Sequence, residues 1–279
     1  MKMDPDLDAM RNVRIVSSVV SAIAALALNW QATAQTAPPS PGTPRTSTAM
    51  PAPQVAEAAD RLLKQMGAYV GSADQFTFRA AITFDHVLPS GQKVQFAANE
   101  NVALQRPDRL YVEWTGDLGD RQFWYDGKKV TIYDSDTIFY GTDTAPPAID
   151  GMLDKLVNHL NFTPPLVDFL YSDPYKSLRG AIQYGFSTGE TQINGRSCQG
   201  FAFVEKHIDW QMWIDTGPQL VPCKLVITYK NNQSFPQFSA VFSDWNFAPR
   251  IAPSLFTPDM PAGTQAISFA TVSANARSR

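Results

Sequence analysis

From Gln75 to Tyr140 the chain alternates between apolar and polar residues at a period of two, and short turn sequences interrupt it at regular intervals. The run "FTFRAAITFDHVL" sets Phe76, Phe78, Ala80, Ile82 and Phe84 on one face. "PSGQ" turns it into "KVQFAANENVALQ", "RPDR" into "LYVEWT", "GDLGD" into "RQFWY", "DGKK" into "VTIYD" and "SDT" into "IFYG". Turns this short leave no room for the crossover helices that parallel strands need, so the pattern predicts an antiparallel up-and-down sheet.

The pattern resumes with strands over 181–193, 197–206, 209–215, 220–230 and 236–246, which brings the expected total to about ten or eleven. Two segments have helical spacing instead. Val55, Ala59, Leu62, Leu63, Met66 and Val70 make an apolar stripe over 54–70. Ile149, Met152, Leu153, Leu156, Val157 and Leu160 make another after Pro146-Pro147, and a short second helix is expected from Pro164-Pro165 through "LVDFLY". The tail "PSLFTPDMPAG" reads as an edge segment. A sheet of so many strands curls as its twist accumulates, and the helical stripes need a face to cover. The fold class expected is therefore mainly β (α+β), an unclosed barrel with a helical lid.

The stretch "HIDWQMWIDTGPQLVPCKLVITYK", His207 to Lys230, holds two tryptophans, a run of β-branched residues and one cysteine. Trp210, Met212 and Ile214 share one strand face, and Leu225 and Ile227 fall on the matching face of the next strand. Together with Phe201 and Phe203 they are the candidate wall of a cavity. Met152, Leu153 and Leu156 are the candidate lid. Aromatics at this spacing are more often plain core, and that alternative stands beside the first. Trp213 falls on the opposite face, with Gln211 and Asp215, and is a candidate surface contact. Cys198 and Cys223 form a possible disulfide. In a simple meander, however, a third strand separates them, and two strand spacings of about 4.8 Å exceed the roughly 7 Å limit for a bridge. That spacing favours two separate buried thiols unless the strand order differs.

Arg11 and Arg14 precede an apolar run from Ile15 to Leu28, and Ala32-Thr33-Ala34 follows. This order is that of a secretory signal over residues 1–34, with Met10 as a more conventional start than the aspartate-containing leader. The run is too short to span a bilayer that needs about 20 residues, so no transmembrane segment is expected after signal removal. Residues 35–53 are rich in Pro, Ser, Thr and Ala and read as a tether, with one domain over 54–270 and a tail over 271–279. The exported protein is expected to be periplasmic and soluble. Its formal charge is −3, with no basic block to engage nucleic acid or anionic lipid headgroups.

Motifs for chemistry are missing from the pattern. "GRSCQG" lacks the spacing of a nucleophile elbow, and His86, His159 and His207 are scattered without metal-ligand spacing. The aspartates at 117, 120, 134, 136 and 143 fall in turns, where they bond the local backbone. No catalytic residue, metal or cofactor is expected.

The segments "RPDRLYVEW", "FWYDGKKVTIYD", "FYGTDTAPPAIDGMLDKL", "PPLVDFL", "DWQMWIDTG", "PCKLVITYK" and "FSDW" resemble, in that order, the predicted periplasmic family catalogued as domain of unknown function 2092. The resemblance covers roughly residues 55–265. It implies a fold similar to the outer-membrane lipoprotein carriers and receptors of the LolA and LolB type, and it supplies no catalytic residue. The expected role is a non-enzymatic binding protein whose partner is an apolar ligand, a lipid acyl chain or lipoprotein. The alternative is an envelope protein–protein interaction or sensor module with a filled core.

Overall fold

The computed structural model describes residues 54–160 and 162–269. The signal and tether segments expected over 1–34 and 35–53, and the tail over 271–279, lie outside the described residues. One thirteen-stranded sheet dominates, in the order β1-β8-β9-β10-β11-β12-β2-β3-β4-β5-β6-β7-β13. It consists of two antiparallel meanders. The first runs through β2 (Gln75–Val87), β3 (Lys93–Gln105), β4 (Arg109–Gly116), β5 (Arg121–Tyr125), β6 (Lys129–Asp134) and β7 (Phe139–Thr144). The second runs through β8 (Tyr184–Ile193), β9 (Arg196–Val204), β10 (Ile208–Asp215), β11 (Pro222–Tyr229) and β12 (Gln237–Asn246).

The halves join where β12 pairs antiparallel with β2, Ala240 opposite Ile82. Two-residue strands, β1 (Gln54–Val55) and β13 (Gln265–Ala266), add in parallel to β8 and β7 and form the two edges. The sheet therefore curls without closing. Strand β1 pairs with only Tyr184 and Gly185 of the ten-residue β8, so the rest of β8 stays at the sheet's edge.

Between the meanders lies the helical insertion, α2 (Ile149–Asn158), a single 3₁₀ turn at Val167–Phe169 and α3 (Pro174–Arg179). The last of these was not anticipated. Asp173 caps it by accepting from the Lys176 N–H at 3.0 Å, and Pro174 occupies its first position, where no N–H is needed. The 3₁₀ turn replaces the short helix expected from Pro164. Helix α1 (Glu57–Gly71) begins two residues later than its apolar stripe suggested, because Val55 belongs to β1.

Helix α1 lies over β8 and β10, with α3 and the 3₁₀ turn packed beside it. Gly67 makes the contact with α3 close: a Cβ there would come within 2.7 Å of the Tyr175 backbone nitrogen. Asp60 fixes the pair, accepting from the Tyr175 hydroxyl at 3.0 Å and from Arg179 Nε at 2.6 Å. Arg106, at the end of β3, ties the insertion to the sheet. Its guanidinium donates to the carbonyls of Ala73, Leu170 and Tyr171.

Cys198 and Cys223 are joined, with their Cα atoms 6.7 Å apart. This corrects the expectation of two separate thiols. The strand order is the simple meander assumed, so the correction comes from local geometry. Trp213 pairs with Lys224 but Ile214 pairs with Pro222, which makes Cys223 the extra residue of a β-bulge. A bulge bends its strand and sharpens the twist, and this one opposes the last residues of β10, next to Asp215, the partner of Cys198. Flat-sheet spacing does not apply there. The bridge closes a loop of 25 residues, and replacing both cysteines with serine is expected to cost about 3 kcal/mol, read from urea denaturation midpoints against the oxidised protein.

Candidate functional site: an apolar cavity with one unpartnered carboxyl

The pairing register puts Phe201, Phe203, Trp210, Met212, Ile214, Leu225 and Ile227 on one continuous face, as their spacing implied. That face is covered by the protein's own helix. Phe203 stacks within 4.3 Å of Trp210, and all of these residues except the partly buried Ile227 are buried in the core that includes Leu63, Met66 and Val70 of α1. Met152, Leu153 and Leu156, the candidate lid residues, are likewise completely buried in that core. None of these ten side chains lines the cavity. Trp213, on the outer face, is half-buried against Gly200, with the Lys224 ammonium 5.2 Å from its ring centroid.

The cavity lies on the other half of the sheet and measures about 450 Å³. Its floor is the concave face of β2 to β6, where Phe84, Val112, Trp114, Phe123 and Ile132 point inward. Segment 162–165, Phe-Thr-Pro-Pro, lies against it shortly after α2 and forms part of its wall. The rim is built from two hairpin tips. Ser234, in the β11–β12 turn, donates to the Gly91 carbonyl of the β2–β3 turn at 3.0 Å, and the Gln237 N–H donates to Asp85 at 3.0 Å. Ser234 and Phe235 both adopt left-handed backbone, φ 61° and 49°, and Phe235 is 59% exposed beside the mouth. A bulky residue in that region is strained.

Apolar surface dominates the wall, with polar side chains interspersed. Arg121 and Asp134 lie opposite one another on β5 and β6 and form an ion pair at 3.3 Å with side chains 11% and 1% exposed. His86 sits near the rim, its Nε2 buried without a hydrogen-bond partner. Glu100, at the middle of β3, is opposite Ala80 on one side and Trp114 on the other. It is 1% exposed, and its Oε2 has no hydrogen-bond partner. Burial alone pushes its carboxyl up to about 8 from an ordinary 4.5, so the acid is mostly neutral at pH 7.

Sequence reasoning passed over Glu100, although its signal was present. In "KVQFAANENVALQ" the inward positions are Val94, Phe96, Ala98, Glu100, Val102 and Leu104, a single carboxylate in an otherwise apolar face. Among the described residues, no group of three His, Cys, Asp or Glu side chains is placed to hold a metal, and no helix is long and apolar enough to cross a membrane.

The family described as "Predicted periplasmic protein (DUF2092)" matches residues 59–270. This chain belongs to that family. The family's periplasmic description agrees with the N-terminal pattern and with a disulfide formed in an oxidising compartment. No curated protein matches the DUF2092 chain. Solved structures with a similar course include an uncharacterised conserved protein from Thermus thermophilus, at 10% identity and TM-score 0.43, covering 76% of this chain and 99% of that one. Mycobacterium tuberculosis lipoprotein LppX aligns at 10% identity and TM-score 0.39, over 71% of this chain and all of its own. MucB, solved also in a Pseudomonas aeruginosa MucA/MucB complex, aligns at 13% identity and TM-score 0.36, over 74% of this chain and 65% of its own.

Glu100 couples stability to pH. The folded carboxyl keeps its proton to about pH 8, whereas the unfolded one loses it near 4.5, so unfolding releases a proton between those values and stability falls as pH rises through that window. Glu100→Leu removes the coupling. The variant is expected to be more stable than the parent, with the margin widening by on the order of 3 kcal/mol between pH 5 and pH 8 in parallel denaturation curves.

Proposed function

We propose that this DUF2092 protein is a non-enzymatic periplasmic binding protein that takes an apolar ligand, an acyl chain of a lipid or lipoprotein, into the cavity on β2 to β6. The observation that carries the reading is the cavity itself. At about 450 Å³ with a wall dominated by aromatic and branched side chains, it falls within the size range of small-molecule sites and far exceeds what one water needs. A sensor module with a filled core would leave no such space. The half of the sheet under α1 is filled in that way, whereas part of the concave face of β2 to β6 borders the cavity.

The driving force would be desolvation, about 0.8 kcal/mol for each methylene moved from water into the cavity, less the freedom that the ligand loses. Segment 162–165 and the two linked hairpin tips are the parts of the wall outside the sheet floor. Entry would go by their displacement.

Native mass spectrometry of the mature protein purified from a periplasmic extract tests the reading. A bound acyl lipid or acylated peptide is expected, and organic extraction would identify it. Val112→Asp puts a charge on the cavity floor and is expected to reduce retained ligand at least about tenfold, with the far-ultraviolet spectrum unchanged. Trp213→Ala, on the outer face, is expected to leave retention as it was. A ligand-free mass together with no uptake of added phospholipid or fatty acid would overturn the proposal.

A further inference from the structure

We propose that Glu100 is the head-group anchor of this cavity: its carboxylic acid donates a hydrogen bond to the carbonyl oxygen of an uncharged acyl ester, so the ligand class is a neutral ester rather than an alkyl ammonium or a free carboxylate. The inference rests on the binding role proposed above and adds the chemistry of the bound head.

Glu100 lines the cavity, is 1% exposed and leaves Oε2 without a partner. A buried polar atom that the protein does not satisfy carries a desolvation cost of about 1–3 kcal/mol. Its strand neighbours, Ala80 and Trp114, offer no side-chain acceptor for a carboxyl proton. A partner supplied from the cavity would remove that cost, which is the thermodynamic condition for an anchor.

The charge state of the site selects the partner. Arg121, the cation nearest in strand order on that face, is engaged by Asp134 and also donates to the Leu118 carbonyl at 3.1 Å. A ligand carboxylate would enter with its charge desolvated and compete with Asp134 for that cation. An ammonium would require Glu100 to ionise in an apolar wall. A carbonyl oxygen needs only the proton that the buried acid already holds. The remaining titratable groups around the cavity are His86, Asp85 and Tyr229 at the rim. Segment 162–165 carries none. His86 lies six residues from Ala80, the pairing partner of Glu100, which separates it from the anchor by roughly 20 Å along the strand. An extended acyl chain spans a distance of that order.

The test uses three probes of equal chain length on delipidated mature protein: methyl hexadecanoate, hexadecylamine and hexadecane, with binding followed by tryptophan fluorescence from pH 6 to pH 9.5. The ester is expected to bind about tenfold more tightly than the alkane at pH 6 and to lose that advantage as pH rises through 8. In Glu100→Leu the ester should fall to the alkane's affinity while the alkane still binds. In Glu100→Gln, which keeps an N–H donor at every pH, the ester's advantage should persist and become independent of pH. An amine that binds most tightly, with affinity rising toward pH 9, would overturn the inference in favour of an ionic anchor. Equal affinity for ester and alkane in the parent protein would show that Glu100 is no anchor. Failure of all three probes would overturn the binding role itself, and this inference with it.

Discussion

A curled sheet of thirteen strands presents more apolar concave surface than this chain's helices can cover, and the rest of the architecture follows from that mismatch. Helix α1 spans 15 residues, about 22 Å at 1.5 Å per residue, and lies over β8 and β10. Helix α2 has 10 residues and buries Met152, Leu153 and Leu156 in the same core. Among the described residues, four non-helical ones, 162–165, and two hairpin tips stand against the cavity over β2 to β6. Hydrophobic burial is non-directional, and the helices that pack one half of the concavity leave an apolar cavity over part of the other. The cavity is a consequence of helix length and placement, not of any special feature in its wall.

The covered half also carries the covalent reinforcement. The bridge from Cys198 to Cys223 and the bulge at Cys223 lie in that half of the sheet, with Cys198 on the outer face it shares with Trp213 and Asp215. The uncovered half has no such constraint among the described residues, and its rim contains the strained Ser234-Phe235 pair. Rigidity is thus concentrated where the core is full, and the parts that would have to move for entry lie where it is not. Arg106 sits between the regimes. Its three carbonyl acceptors hold residues 73, 170 and 171 to the strand end, and desolvation lowers its affinity for its proton while Asp150 opposes the change.

Much of this was legible in the sequence because strand alternation is a local signal. Each meander strand from Gln75 to Asn246 was bounded within about three residues, since a turn residue or a break in period marks its end. The face containing Trp210, Met212 and Leu225 was legible as well. Its cover was not, because inward residues carry the same pattern whether a helix or an empty space lies above them. Phe123 and Ile132 line the cavity and Phe201 and Met212 do not, yet no feature of their spacing separates the pairs. The disulfide was misjudged for a related reason: a bulge adds one residue and changes a register, and neither change has a residue type that announces it. The short helix α3 had a readable start in Asp173-Pro174.

The two buried acidic sites on the concave face show how this wall handles charge. Asp134 remains beside a cation, so its pair with Arg121 is overall neutral. The energy of such a pair is small, because the attraction between the charges mainly offsets the loss of their hydration. Glu100 has no such cation and reaches neutrality by keeping its proton. By different routes both sites leave the deep wall without net charge. A cavity with a net charge would select an ionic head and would be screened or repelled according to salt. A neutral, mainly apolar cavity with a buried O–H would select by hydrogen-bond geometry and chain length instead. Conversion of that O–H to a carboxylate inverts the selection, turning a donor into an acceptor at the same position. Any ligand that needs the donor therefore stabilises the protonated acid and raises its pKa further, while the pH at which the ligand leaves reports how strongly the head is held.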